Sequence, residues 1–181
     1  MAFAVKSGPR PVRRILTALS LLGFGLVACS FAPLRIPVDD VVLPAGSSGG
    51  DVCYVRVDRS SPASFRQASY EATAIYEAAA LIGEPQSVTV RVYGRRSAPA
   101  GHEGQDSFCV EVSNDDTPLS DELELEPDEP KSIVVGGEYG EELASLIRRQ
   151  PFFIGASLSG GGLLESNQRI TLTGGVVIVH F

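Results

Sequence analysis

The stretch Ser87-Val88-Thr89-Val90-Arg91-Val92-Tyr93 alternates apolar and polar side chains with a period of two. That period belongs to an extended strand with one wet face and one dry face. It recurs in Val52-Cys53-Tyr54-Val55-Arg56-Val57 and in Ser107-Phe108-Cys109-Val110-Glu111-Val112. Ile36–Leu43 reads as an edge strand, because Pro37 cannot donate to a central ladder. Leu119–Leu125, Ser132–Val135, Phe152–Leu158, Arg169–Leu172 and Val176–Phe181 complete the set. Turns are supplied by Ala45–Gly50, Gly160-Gly161-Gly162 and Gly174-Gly175.

One segment is a helix by its charges. Gly140–Arg149 places acids in its first turn and arginines in its last, which complements the backbone dipole, and sets Leu143, Leu146 and Ile147 on one face. Ser61–Gly83 admits two readings. Ser61 before Pro62, Gly83 at the far end and the many alanines suit a capped helix. Ala68, Tyr70, Ala72, Ala74, Tyr76 and Ala78 nevertheless alternate with residues that are polar except for Ile75, which favours a strand forming a long hairpin with Ser87–Tyr93. The expected fold is all-β: a β-sandwich, Ig-like or related, of about 8–10 short strands with one short helix near 140–149. It forms a single domain over 35–181.

The first thirty residues follow a different logic. Residues 1–14 are basic and broken by Pro and Gly, and the apolar run Ile15–Ala28 leads to Cys29. This is a signal-peptide layout, and the run is shorter than the roughly 20 residues of a membrane-spanning helix. Leu26-Val27-Ala28-Cys29 resembles the lipobox of bacterial lipoproteins. The resemblance implies cleavage before Cys29 and its acylation, including palmitate, with residues 29–34 as a short lipidated tether. Ser30 in place of Asp favours the outer membrane over the inner one. All four charges in residues 1–28 are basic, so losing them takes the net charge from −7 to −11. That acidity argues against nucleic acid as a partner.

Of three cysteines, Cys29 is assigned to lipid, which leaves Cys53 and Cys109. An even remainder in an oxidising compartment implies a disulfide, with two buried thiols as the alternative. Neither cysteine has a Cys or His at metal-ligand spacing.

Catalytic groups are scarce. There are only two histidines, His102 and His180, and Ser157 in Gly155-Ala156-Ser157-Leu158-Ser159 misses the nucleophile-elbow pattern at its last position. Gly160-Gly161-Gly162 lacks the Lys-Ser/Thr sequel of a phosphate cradle. Residues 102–129 hold eleven of the 22 acids, with Asn114-Asp115-Asp116 as the nucleus of a weak candidate calcium site at Asp115 and Asp116. The terminal Val176–Phe181 ends on an aromatic as outer-membrane barrel strands do. Such strands need about 9–11 residues with a lipid-facing band, so a buried sandwich strand is the better reading.

The whole resembles the small β-rich lipoproteins of bacterial envelopes, which implies a non-catalytic binding or structural module without a cofactor. It would be held on a membrane by its lipid, with its domain facing the periplasm or the exterior and other envelope proteins as partners. A binding module would show an exposed aromatic patch, with Tyr54, Tyr70, Tyr76 and Phe152 as candidates. The alternatives are a calcium-dependent surface protein and a serine hydrolase centred on Ser157, which would need His102 or His180 within reach.

Overall fold

A computed structural model of the chain describes residues 32–58, 65–78, 86–148, 151–160 and 162–181. The signal segment 1–28, Cys29 and Ser30 lie outside the described residues, as do Ser61, Pro62, Gly83, Arg149 and Gly161. Residues Pro33–Phe181 form one compact unit.

That unit is an all-β sandwich of two antiparallel sheets. In the first, β1 (Leu34–Pro37) and β2 (Val41–Leu43) lie one after the other along β11 (Gln168–His180), followed by β4 (Gln67–Ala78) and β9 (Lys131–Val135). The second runs β6 (Ser107–Glu111), β3 (Asp51–Val57), β10 (Phe152–Leu158), β5 (Val88–Arg95). Along the far side of β5 lie β7 (Thr117–Pro118) and β8 (Leu123–Leu125). Helix α1 (Gly140–Ile147), entered through a 3-10 turn at Gly137–Tyr139, buries Leu143, Ala144, Leu146 and Ile147 in the main core. Leu146 sits over Gly94 of β5, where a Cβ would collide with it.

The alternation in β4 is a strand's alternation. Ala68, Tyr70, Ala72, Ala74, Tyr76 and Ala78 are all buried, and the residues between them are not. The hairpin expected with Ser87–Tyr93 does not form. β4 pairs with β11 and β9, whereas β5 pairs with β10, β7 and β8 in the facing sheet. Placed side by side, both strands would turn apolar faces the same way. Placed in opposite sheets, Val90 and Val92 of β5 share one core with the alanines and tyrosines of β4.

Four other expectations change. Ile36–Leu43 is two edge strands, β1 and β2, broken at Val38–Asp40. Leu119–Leu125 is interrupted as well: Leu119 is buried, but the Ser120 hydroxyl accepts the Val92 N–H in place of a strand partner, and pairing resumes only at Leu123. Gly174-Gly175 is a bulge within one continuous β11 rather than a turn, with the register shifting between Thr173 and Val176. Gly174 adopts φ +64°, a left-handed conformation that side chains disfavour, and a Cβ on Gly175 would stand 3.1 Å from both the Tyr70 hydroxyl and Val38 Cβ. The bulge lets the Gly175 carbonyl accept the Val38 N–H at 2.8 Å, where β1 has ended and β2 has not begun. Finally, α1 stops at Ile147, with Arg148 as its C-cap. The Arg148 guanidinium lies over the Phe65 ring, 5.4 Å from its centroid, rather than serving the last helical turn.

Cys53 and Cys109 stand directly opposite each other in the β3–β6 pairing, with Cα atoms 4.0 Å apart, and are joined by a disulfide. Replacing both with alanine should lower unfolding free energy by about 4 kcal/mol, the chain-entropy value for closing a loop of this length. Denaturant titration of the variant against the parent measures it, and an unchanged midpoint would contradict it.

Burial raises the hydroxyl pKa of Tyr54, Tyr70 and Tyr76 above the usual value of 10.0. In the unfolded chain these groups ionise near pH 10 while the folded state keeps its protons. The stability they contribute is therefore complete below pH 10 and declines as pH rises through and beyond it. Thermal melts between pH 8 and pH 11 should show Tm falling only in the upper part of the range, and less steeply after Tyr70→Phe.

Candidate functional site

The proposed aromatic patch is not a surface. Tyr54, Tyr70, Tyr76 and Phe152 are each at most 1% exposed. Alternation explains three of them, since Tyr70, Tyr76 and Phe152 point between the sheets into the main core. Tyr54 points the other way, into a second cluster with Val52, Phe108 and Phe153 on the outer face of the second sheet. Tyr93, Ala98 and Val110 pack against that cluster, and the His102 ring lies 5.3 Å from that of Phe108. Sheet two is thus covered on both faces, which is why all seven residues of β10 are buried.

A buried polar knot pins the cover in place. The Tyr54 ring crosses Gly155, where a Cβ would lie 2.6 Å from the Cys53 carbonyl oxygen, and its hydroxyl donates to Asp116 Oδ1 at 2.7 Å. Arg95 Nη1 donates to the same oxygen at 2.9 Å, while Asp116 Oδ2 accepts from the Ser113 N–H at 2.6 Å and its hydroxyl at 3.1 Å. Arg95, only 5% exposed, also reaches the Ser97 carbonyl through Nε and Asp115 through Nη2. Burial first, and then the hydrogen bond to Asp116, pushes the Tyr54 hydroxyl pKa far up.

This arrangement bears directly on the calcium candidates. A carboxylate has about four lone-pair sites, and those of Asp116 receive four hydrogen bonds. Asp115 is exposed and faces the Arg95 guanidinium. Their counter-charge is thus an arginine of the same chain, and among the described residues no three His, Cys, Asp or Glu side chains converge as a metal site would require. Sequence reasoning singled out Asp115 and Asp116 but missed Arg95, whose place at the end of the β5 alternation was the available signal.

Ser157 sits on the outer face of β10, 2% exposed, and its hydroxyl donates to the Leu158 carbonyl at 3.1 Å. His180 ends β11 in the other sheet, and His102 Nδ1 is engaged with Gln105 in an exposed loop. The structure does not bring the three together as partners.

A cleft of about 380 Å³ opens on the side of the sandwich, between β9 and residues 120–123. Its floor is Val90, Val92 and Ile133, and its rim carries Asp121, Glu122 and Glu138. Tyr139 donates to Asp121 Oδ1 at 2.7 Å across this rim, and that bond raises its pKa to about 12. The acidic tract thus divides among the buried knot, this rim and the exposed loops.

These features define a disulfide-closed all-β sandwich with one doubly covered sheet. No protein-family model matches the chain, and no curated protein matches it. Among solved structures it is similar to a chain of the infectious bursal disease virus particle, at 10% identity and a TM-score of 0.44, covering 83% of this chain and 31% of that one. It is also similar to a chain from the Gx strain of that virus, at 13% identity and a TM-score of 0.39, covering 83% and 32% respectively. The chain spans about a third of the length of those chains.

The polar knot predicts an ordering among variants. Tyr54→Phe removes a bond to a charged acceptor and should cost about 1.5–3 kcal/mol. Arg95→Met leaves a buried carboxylate without its cation and should cost about 3–5 kcal/mol. Tyr70→Phe and Tyr76→Phe remove hydroxyls that are buried without a hydrogen-bond partner and should be close to neutral or stabilising. Urea titrations of the four variants test the ranking; a Tyr70→Phe loss as large as that of Tyr54→Phe would overturn it.

Proposed function

We propose that the chain is a bacterial envelope lipoprotein whose β-sandwich acts as a non-catalytic binding or structural module. In this reading residues 1–28 are the signal peptide, and Cys29 carries the lipid that holds the domain on a membrane, the outer membrane in preference to the inner. The observation that carries it is the cysteine pairing. Cys53 and Cys109 are joined, so of three cysteines the one left over is the lipobox Cys29. A disulfide also suits a domain that matures outside the reducing cytosol. Two or more acyl chains contribute about 0.8 kcal/mol per buried methylene and give an anchor that does not readily dissociate. The placement of Ser157 and the histidines favours a module over a hydrolase, since the Ser157 hydroxyl donates to the Leu158 carbonyl and, among the described residues, pairs with no imidazole.

The test is fractionation of Cys29→Ser beside the parent in cells fed labelled palmitate. The parent should carry label and sediment with membranes, whereas the variant should lack label and lose its membrane association. Unlabelled parent protein, or a variant that sediments as fully as the parent, would refute the lipoprotein reading.

A further inference from the structure

β9 ends the first sheet on a bare edge. It pairs with β4 on one side, and among the described residues Lys131–Val135 makes no backbone–backbone hydrogen bond outside that pairing. Alternate N–H and C=O groups of such an edge point away from the sheet, ready to pair with another strand. Val134 in this strand is 68% exposed, although it is apolar and β-branched. The cleft of about 380 Å³ runs along the same edge, with residues 120–123 as its other wall. Its floor of Val90, Val92 and Ile133 belongs to the main core, met here from the side.

Charge around the cleft is predominantly of one sign. Residues 119–142, which include β8, β9 and the first turn of α1, hold nine acids and one base, Lys131. The Lys131 amine donates to the Glu124 carbonyl at 2.6 Å. Arg91 stands on the outer face of β5 and is matched by Glu122 at 3.5 Å, while Arg96 donates to the Ser145 hydroxyl on α1. On the outer face beside Val134, Glu71 and Arg35 match each other at 3.6 Å. Among the described residues Asp121 and Glu138, both on the rim, form no ion pair.

We propose, resting on the reading of the domain as a binding module, that β9 receives an extended basic segment of a partner polypeptide as an added strand. Successive side chains of such a strand alternate in direction. Those in line with Ile133 turn inward over Val90 and Val92, where aliphatic groups fit. Those in line with Ser132 and Val134 stay at the mouth, where Asp121 and Glu138 match lysine or arginine. Backbone hydrogen bonds to β9 hold the segment, and the alternation selects its sequence. A second copy of this chain is the poorer occupant, because its own β9 edge is flanked by the same acids.

The probe is an acetylated, amidated heptapeptide of alternating valine and lysine, valine at both ends, carrying a dye. It is titrated into the full-length chain in non-ionic detergent and read by fluorescence anisotropy. Replacing its lysines with glutamates should weaken binding about tenfold or more, since like charges then meet at the rim. Methylating every backbone nitrogen keeps the side chains but removes the donors, and should abolish binding. In the protein, Asp121→Asn with Glu138→Gln should weaken binding severalfold. Glu103→Gln with Glu111→Gln makes the same change of charge near β6, at the far edge of the second sheet, and should leave binding unchanged. Equal binding of the methylated peptide would overturn strand addition. Equal losses from the two double variants would reduce the effect to net charge and overturn the site. No binding to the parent, or a dimer in sedimentation that the peptide does not dissociate, would overturn the proposal as well. The lipoprotein reading would survive each of those failures, because fractionation of Cys29→Ser decides it separately.

Discussion

Burial of the second sheet on both faces is the constraint from which the rest of the structure follows. A sandwich needs only one dry face per sheet, and the first sheet obeys that rule, with β4 alternating cleanly between buried and partly exposed residues. In the second sheet β10 is dry throughout, and Val52, Tyr54, Phe108 and Phe153 require a cover of their own. No helix or third sheet supplies it among the described residues. The loop after β5 and the turn at Ser113–Asp116 do, through Ala98 and His102 on one side and Asp116 on the other.

Loops have no ladder to hold them, so the cover depends on side-chain bonds. Arg95 leaves the end of β5 and ties Ser97, Ser113, Asp115 and Asp116 to one guanidinium, while Tyr54 ties Asp116 to β3. A buried ion pair gives back little net stability over an apolar substitute, because both partners lose their hydration. Its effect here is positional: the fork of the guanidinium admits these acceptors in one arrangement, and an apolar group at residue 95 would leave the loop free to slide over Phe108. Gly155 belongs to the same device, since only the missing side chain allows the Tyr54 ring to cross β10 and reach Asp116.

The sequence was most legible where one face of a strand is wet. Period-two patterning located β3, β5, β6 and β4, and in β4 it outweighed the helix propensity of four alanines, because propensity yields to a face that must be buried. Pairing was less legible. The β4–β5 hairpin looked natural from sequence proximity, but alternation says which residues share a face and nothing of which sheet a strand joins. A glycine pair marks turns and bulges alike, and at Gly174-Gly175 only the packing of Tyr70 and Val38 against Gly175 separates the two. Aromatic residues serve cores and interfaces alike, so their type alone does not place the tyrosines; the even spacing of Tyr70 and Tyr76 with the alanines puts those two inside. The outer-face cluster had a sequence signal in Phe152-Phe153-Ile154-Gly155-Ala156-Ser157-Leu158, a run too apolar for a strand with a wet face.

The disulfide and the acids address a common difficulty. A sandwich exposes four strand edges, and exposed edges invite pairing between molecules. Here β6 is covalently tied to β3 at Cys53–Cys109, so the edge it presents cannot peel away to expose the doubly buried strand behind it. The edge residues of β9 include Lys131, and the segment between β7 and β8 turns Asp121 and Glu122 outward beside it. With a net charge of −11 from Cys29 onward, neighbouring copies repel at the edges where backbone groups would otherwise match. Under the lipid anchor proposed for Cys29 such protection matters most, because domains held on one surface meet at a higher local concentration of edges and with one dimension fewer in which to avoid them. The acidic tract, which resembles a ligand site when read along the chain, is on this argument chiefly a means of keeping neighbouring sandwiches apart.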